Sequence, residues 1–523
     1  MATGGGQIIN GKIQEVEEET QYGNRARIFR INKDLLVLKL YYFFAFSAKA
    51  CIQPFFPVFL RHVGLSAEQT GYVIGLQPLA NFIGAPIAGA LADKYRKHRV
   101  AMLIMCIVSS ALRFSLVFLR PNEELNAAKN FCNNSSFSNI TGKERTVLKK
   151  IYSMIPENHS SSFLDKNCTD YVVGNTTDIV KTTANRDNYN MFVLISVLSF
   201  VWSLFDGSNS MADAATVKYL TDIGRGGDYG KQRLWGAVGW GSIAVLSGLT
   251  IDQSSQNSNR SQFFIAFCGF LLFSIAAFVT VFKLPLEYLG GESKPKIFQN
   301  VFIILSDCRI VTFLVAILIM GACFSTIGAF LFWFIQDMNG SHLLMGLTLC
   351  MTCVSEVPVM FFSGKLIKCI GHHGVLYLTF VCYTIRYVLY SFLHNAWYVL
   401  AVEPLHGVTF GAMWAATTSY GGLISPEGMR ATVMGLVMAT HFGLGKLIAG
   451  FGGGAMYSSY GPRILFRSLA VTSAITCLLF ALLQRLIKRK SQVHYSNFHN
   501  DSQNDSTWDA EMKEINLDSG DEL

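Results

Sequence analysis

The chain has 523 residues, of which 51% are hydrophobic, 40 are Phe and only 15% are charged, with a formal net charge of +8. That composition is too apolar for one soluble domain and fits a polytopic membrane protein. The positive balance is no nucleic-acid footprint, because the basic residues gather in short loops and at the ends of apolar runs, where they set orientation in a bilayer.

Residues 1–34 are polar, mixed in charge and rich in Gly, carry no cleavable signal pattern and are expected to form a cytosolic tail. Apolar windows of about twenty residues, the length that crosses a bilayer, then predict spans at 35–60, 68–91, 100–119, 190–218, 230–251, 262–284, 309–335, 343–367, 373–393, 397–420, 430–455 and 462–486. The expected fold is an all-α membrane protein with twelve transmembrane helices in two pseudo-symmetric six-helix bundles. The bundles occupy 35–285 and 309–487, joined by a polar linker at 286–308 and followed by a cytosolic tail at 488–523. An even number of spans puts both termini on one side. Basic clusters at Lys94–Arg99, Arg225–Arg233, Lys294 and Lys296, Lys365–Lys368 and Lys488–Lys490 fall on that same side, which the positive-inside rule makes cytosolic.

Between the third and fourth spans, the polar segment 121–189 carries glycosylation sequons at Asn133, Asn134, Asn139, Asn158, Asn167 and Asn175, all expected outside. Cys132 and Cys168 share that loop and can form a disulfide in an oxidising compartment. The other cysteines lie in or beside spans and read as small apolar packing residues.

The rare charges inside the apolar runs point to mechanism. Each costs roughly 3 kcal/mol or more at the bilayer centre, so it is kept where it faces a partner or water. Asp206 and Asp213 stand two turns apart on one face of the fourth span. Asp213 and Arg233 lie at similar depth on adjacent antiparallel helices and can pair, either around a solute or as a structural salt bridge. On the tenth span, Glu403 and His406 share a face and can exchange a proton or a hydrogen bond. Lys49 on the first span can contact an anionic solute, whereas Arg113 on the third can equally snorkel outward. His441 reads as a packing group. No nucleophile constellation, metal cluster or GxxxxGK(S/T) loop is present, so neither an enzyme nor a bound cofactor, metal or nucleic acid is expected, and energy must come from a gradient or the solute itself.

Several segments carry a family pattern: YYFF (41–44), PFFPVFLRHVGLS (54–66), GALADK (89–94), YGKQRLWGAVGWG (229–241), IRYVLYSF (385–392), LHGV (405–408) and GKLIAG (445–450). Together they resemble the major facilitator superfamily, in the lactose-permease-like branch that includes the family of major facilitator superfamily domain-containing protein 6. The resemblance implies a secondary active transporter, a symporter with the proton as a candidate coupling ion, that moves a small polar solute such as a sugar, nucleoside or zwitterion across the bilayer by alternating access. It places Asp213 and Arg233 in substrate binding, and Glu356 and Arg386 in substrate binding and proton coupling; Asp206 and Lys49 join the binding set, and Glu403, His406 and Lys446 the coupling set. Lys446 resembles a Lys that pairs with acids elsewhere in the bundle, and Glu403 is the partner expected for it here. Thr409 stands where the branch carries its proton-transferring Glu. The gating loop of the first half has Asp93, with Arg96 in place of the usual Gly; its second-half copy keeps Gly371 but has Lys368 in place of the acid. A second reading makes the chain a cell-surface receptor that keeps this fold and recognises a protein through the 121–189 loop. The plasma membrane is the expected location.

Overall fold

The computed structural model describes residues 33–119, 188–225, 228–257, 262–286, 304–425 and 429–501. The sequons at Asn133 to Asn175, the Cys132 and Cys168 pair and most of the 286–308 linker lie outside these residues. Among the described residues, ten helical segments are long and apolar enough to cross a bilayer. They are α1 (Leu35–His62), α2 (Ala67–Tyr95), α3 (His98–Phe118), α4 (Asn188–Asp222), α5 (Tyr229–Ser254), α6 (Phe264–Val281), α7 (Cys308–Asp337), the 50-residue run His342–Ser391, α11 (Thr432–Tyr460) and α12 (Pro462–Ile487). The long run is two spans in one: Gly371, at φ 71° and ψ 168°, divides it into α8 (342–370) and α9 (372–391). Residues 396–423 form α10 from short turns of changing pitch, including a π-helical stretch at Gly407–Ala412. Twelve spans result, and the eighth and ninth join without the loop expected between them.

Local chemistry accounts for the boundaries. The Ser66 hydroxyl accepts from the Gln69 N–H while the Gln69 side chain accepts from the Ser66 N–H, a capping box that starts α2. Gly461 at φ 81° ends α11, and Pro462 opens α12 at the position where its missing N–H costs nothing. Asp228 closes the turn between α4 and α5. It takes Lys231 and Arg225, each at 2.7 Å, and those hydrogen bonds hold its carboxyl below the usual carboxylate range.

We call the end of the bundle where the chain enters α1 and leaves α12 the tail end, and its opposite the far end. The halves α1–α6 and α7–α12 meet at the far end. There Arg61 pairs with Asp337 at 2.6 Å, Tyr457 donates to the same carboxylate at 2.5 Å, and the Trp333 indole donates to the Pro57 carbonyl at 2.6 Å. Asp252 of α5 caps α8, accepting from the His342 and Leu343 N–H groups at 2.9 and 2.8 Å and bonding the His342 ring at 2.7 Å. Gly71 of α2 and Gly450 of α11 bring two backbones together: a Cβ built on Gly71 would lie 2.1 Å from the Gly450 carbonyl oxygen, and one on Gly450 would lie 2.4 Å from that of Gly71.

Burial shows where the halves part. Along α2, Thr70, Gly71, Val73 and Ile74 are buried, whereas Phe82, Ile83, Ile87 and Leu91 nearer the tail end are exposed. Along α8, Leu344, Met345 and Thr348 are buried, whereas Val357, Met360 and Phe361 are exposed. The two halves are thus pressed together at the far end and splayed at the tail end.

The loop copies of the two halves share a backbone feature. Arg96 follows Gly89, and Gly371 follows Gly364, by the same interval, and both take positive φ, 52° and 71°. Arg96 ends α2 in the left-handed region, where the family pattern carries Gly. An L side chain there costs about 1 kcal/mol, so Arg96→Gly is expected to raise the unfolding temperature of the detergent-solubilised protein; an unchanged or lower value would contradict this. In the same loop Asp93 binds His98 at 2.7 Å, whereas Lys368 is exposed.

Candidate functional site

Between the halves lies a cavity of about 670 Å³, within the range of small-molecule sites. Broken helices frame it. α1 is interrupted at residues 53–55, next to Pro54, and α4 at 205–207. α11 carries π-helical stretches at Ala439–Leu444 and Ala449–Gly453 on either side of Lys446. Irregular backbone at membrane depth is tolerated where it lines a polar cavity, and here it turns charged side chains inward.

In the first half, Asp206 sits inside the α4 break. Its carboxylate receives Arg113 at 2.7 Å and Lys49 at 3.2 Å, and the Arg113 guanidinium also lies over the Trp202 ring at 5.8 Å. Arg113 therefore does not snorkel outward. Asp213, one face with Asp206 in a regular helix, is turned from the cavity by the intervening break. It accepts from the Tyr42 hydroxyl at 2.7 Å and lies 3.8 Å from the Arg233 Nε. Arg233 itself lines the cavity, its guanidinium 4.0 Å above the Phe46 ring. Of the two carboxylates placed on one stripe, only Asp206 reaches the shared space.

In the second half, Arg386 and Glu403 are each only 1% exposed and form an ion pair at 2.5 Å. The guanidinium also donates to the Tyr390 hydroxyl at 2.8 Å, Thr409 Oγ1 at 3.1 Å and His406 Nδ1 at 3.3 Å, and Tyr390 donates to Glu403. Because His406 Nδ1 accepts from Arg386, the neutral ring carries its hydrogen on Nε2, which faces Glu356 at 4.0 Å. Glu403 and His406 thus meet through Arg386, not directly as their spacing on α10 suggested. The expected Lys446–Glu403 pair is not formed either: Glu403 is taken by Arg386 and Tyr390, and Lys446 donates to Gln77 Oε1 across the halves at 3.2 Å. Thr409 belongs to the Arg386 cluster as a neutral acceptor.

The two halves repeat one device: an Arg from the third helix of each half holds an acid from the fourth, Arg113 with Asp206 and Arg386 with Glu403. Sequence reading missed the equivalence because the polar segment after α3 sets the first pair 93 residues apart and the second 17. Residues outside the charged set also escaped it. Gln77 and Asn81 line the cavity from α2, and Trp240, Phe324, Phe410 and Phe442 supply aromatic faces, with Phe324 stacked on Phe410 at 5.0 Å between ring centres. The signal available for Gln77 was its place one residue before Pro78 inside a span. His441 packs among Phe324, Trp414 and Phe442, as a packing group should.

The sequence is 22% identical to Major facilitator superfamily domain-containing protein 6-like protein B of Xenopus laevis, over 89% of this chain and 93% of that protein. It is 20% identical to the maltose permease of Geobacillus stearothermophilus, over 86% and 94%. Among solved structures, the nucleoside transporter NupG superposes with a TM-score of 0.62 at 14% identity, covering 87% of this chain and 99% of its own; that likeness is one of fold. The sequence matches the model of the MFS_1 like family over residues 35–468, and this multi-pass membrane protein belongs to that family of the major facilitator superfamily.

Proposed function

We propose that the protein is a secondary active carrier of a small polar solute, working by alternating access. The observation that carries this reading is the cavity between the halves, lined by charged groups from both, Lys49, Asp206 and Arg233 from one and Glu356, Arg386 and Lys446 from the other. A site at the interface of two repeats is where rocking exchanges access from one side to the other. The lobes that rock are 35–285 and 309–487, with 286–308 as their linker. One relative is a maltose permease and one protein of the same fold is a nucleoside transporter, and aromatic faces beside hydrogen-bonding groups suit solutes of those kinds here.

In this reading Asp206, Lys49, Arg233 and Arg386 bind the solute, and Asp213 orients Arg233 from behind. Glu356 and His406 carry the coupling proton in symport, Glu356 taking it from the open side and His406 Nε2 facing it, while Glu403 holds Arg386 in place. The tail end faces the cytosol of a cell bounded by the plasma membrane, so the present conformation is open inward. A receptor role would rest on residues 121–189, and nothing among the described residues adds to it.

The test is uptake into proteoliposomes of a panel of labelled sugars, nucleosides and amino acids, with and without an inward pH gradient. At least one solute should accumulate under the gradient. Asp206→Asn, which strips Lys49 and Arg113 of their counter-charge, is expected to lower its initial rate at least about tenfold. His406→Ala should abolish gradient-driven accumulation while solute exchange persists. Uptake of every solute equal to that of empty liposomes would overturn the reading.

A further inference from the structure

Charge is not balanced in the cavity. Its lining holds five cations, Lys49, Arg113, Arg233, Arg386 and Lys446, against three carboxylates, Asp206, Glu356 and Glu403. Most of these are committed. Arg386 belongs to Glu403, and Arg233 has Asp213 behind it. Asp206 alone serves both Lys49 and Arg113, and Lys446, within electrostatic reach of all three, has the neutral Gln77 amide as its hydrogen-bond partner. One corner of the cavity therefore gathers three cations around a single carboxylate. A cation at membrane depth needs a counter-charge or water, and an ammonium held by one amide oxygen keeps unused donors.

We infer that the corner bounded by Lys49, Arg113 and Lys446 is an anion subsite, and that the solute of this carrier bears a negatively charged group, a carboxylate or a phosphate ester. The inference rests on the carrier reading and narrows it. It also has a mechanical consequence. Lys49 and Arg113 belong to the first half and Lys446 to the second, so an anion between them bridges the halves near the middle of the seam, and its arrival or departure changes the attraction between the two lobes. Asp206 fits this arrangement as the counter-ion of that corner, drawing Lys49 and Arg113 together.

Trp240 lines the same cavity and reports on it. In the full chain reconstituted in nanodiscs, the emission lost on Trp240→Phe isolates its contribution, which is then quenched with iodide and with caesium. With each quenching constant divided by that of free N-acetyltryptophanamide, iodide is expected to be several-fold more effective than caesium, and Lys446→Gln or Lys49→Gln should bring the two normalised values towards parity. Benzoate or inorganic phosphate, added at constant ionic strength, should protect against iodide; protection by the first identifies a carboxylate site and by the second a phosphate site. Equal quenching by iodide and caesium, an unchanged preference in both Lys variants, or protection by neither anion overturns the inference. The two readings fail separately. Solute uptake without an anion preference sinks the subsite and leaves the carrier, whereas an anion preference without flux of any solute does the reverse.

Discussion

Glu403→Gln is expected to destabilise the protein by roughly 3–5 kcal/mol, the cost of leaving one member of a buried ion pair without its counter-charge. Arg386 is 1% exposed and its other contacts, Tyr390, Thr409 and His406, are neutral hydrogen-bonding groups. They take three of its five N–H donors and leave its charge unanswered. Arg386→Met should cost a similar amount, because Glu403 then keeps only the Tyr390 hydroxyl. The double variant Arg386→Met/Glu403→Leu separates stability from function. Replacing both charges with apolar groups of similar volume removes the desolvation penalty, so its unfolding temperature should return to that of the wild type or exceed it. Uptake should stay absent, because the proposed binding set loses Arg386 and His406 loses the hydrogen bond that Arg386 gives it. Thermal unfolding in detergent beside uptake in proteoliposomes reads both effects. A single Glu403→Gln variant as stable as the wild type would show that this pair is not what holds α9 to α10.

The second large effect concerns the far-end seam. A Val at Gly450 places its Cβ 2.4 Å from the Gly71 carbonyl oxygen, a backbone atom that cannot swing aside as a side chain would. Overpacking of this kind costs roughly 1–3 kcal/mol against the closed arrangement, enough to move a two-state equilibrium by about one order of magnitude. Cys353 lines the cavity and is reached from the far side only when the seam parts. Labelling of Cys353 by a membrane-impermeant maleimide added on that side is therefore expected to run about tenfold faster in Gly450→Val and in Gly71→Val. Gly452→Val is the control, since a Cβ there meets no atom within 4 Å. Equal rates in all three would mean that the glycine contact does not hold the far end shut.

The legible part of this protein was its periodicity. Runs of apolar residues marked the spans because a helix in lipid must satisfy its own backbone and cover itself with apolar side chains. Buried charges marked the cavity between the halves, since their cost demands a partner, and Lys49, Asp206, Arg233, Glu356, Arg386, Glu403, His406 and Lys446 all line it. What stayed hidden was the pairing. Helical spacing put Asp206 and Asp213 on one stripe, but a turn at residues 205–207 rotates one relative to the other. The same spacing joined Glu403 to His406, whereas a third residue from another helix stands between them. Such partners depend on crossing geometry and local unwinding, which no single span encodes.

One contact at the far end sets a bias on the resting pose. Helix α8 begins with Ser341 as its own cap, yet two of its first N–H groups are finished by Asp252, a residue of the opposite lobe. In the carrier reading, parting of the lobes at that end makes α8 give up this borrowed terminus and hand its amides to water. A helix cap is worth about 1 kcal/mol, so the carrier proposed here should favour the posture with its mouth towards the tail end whenever no solute holds it otherwise.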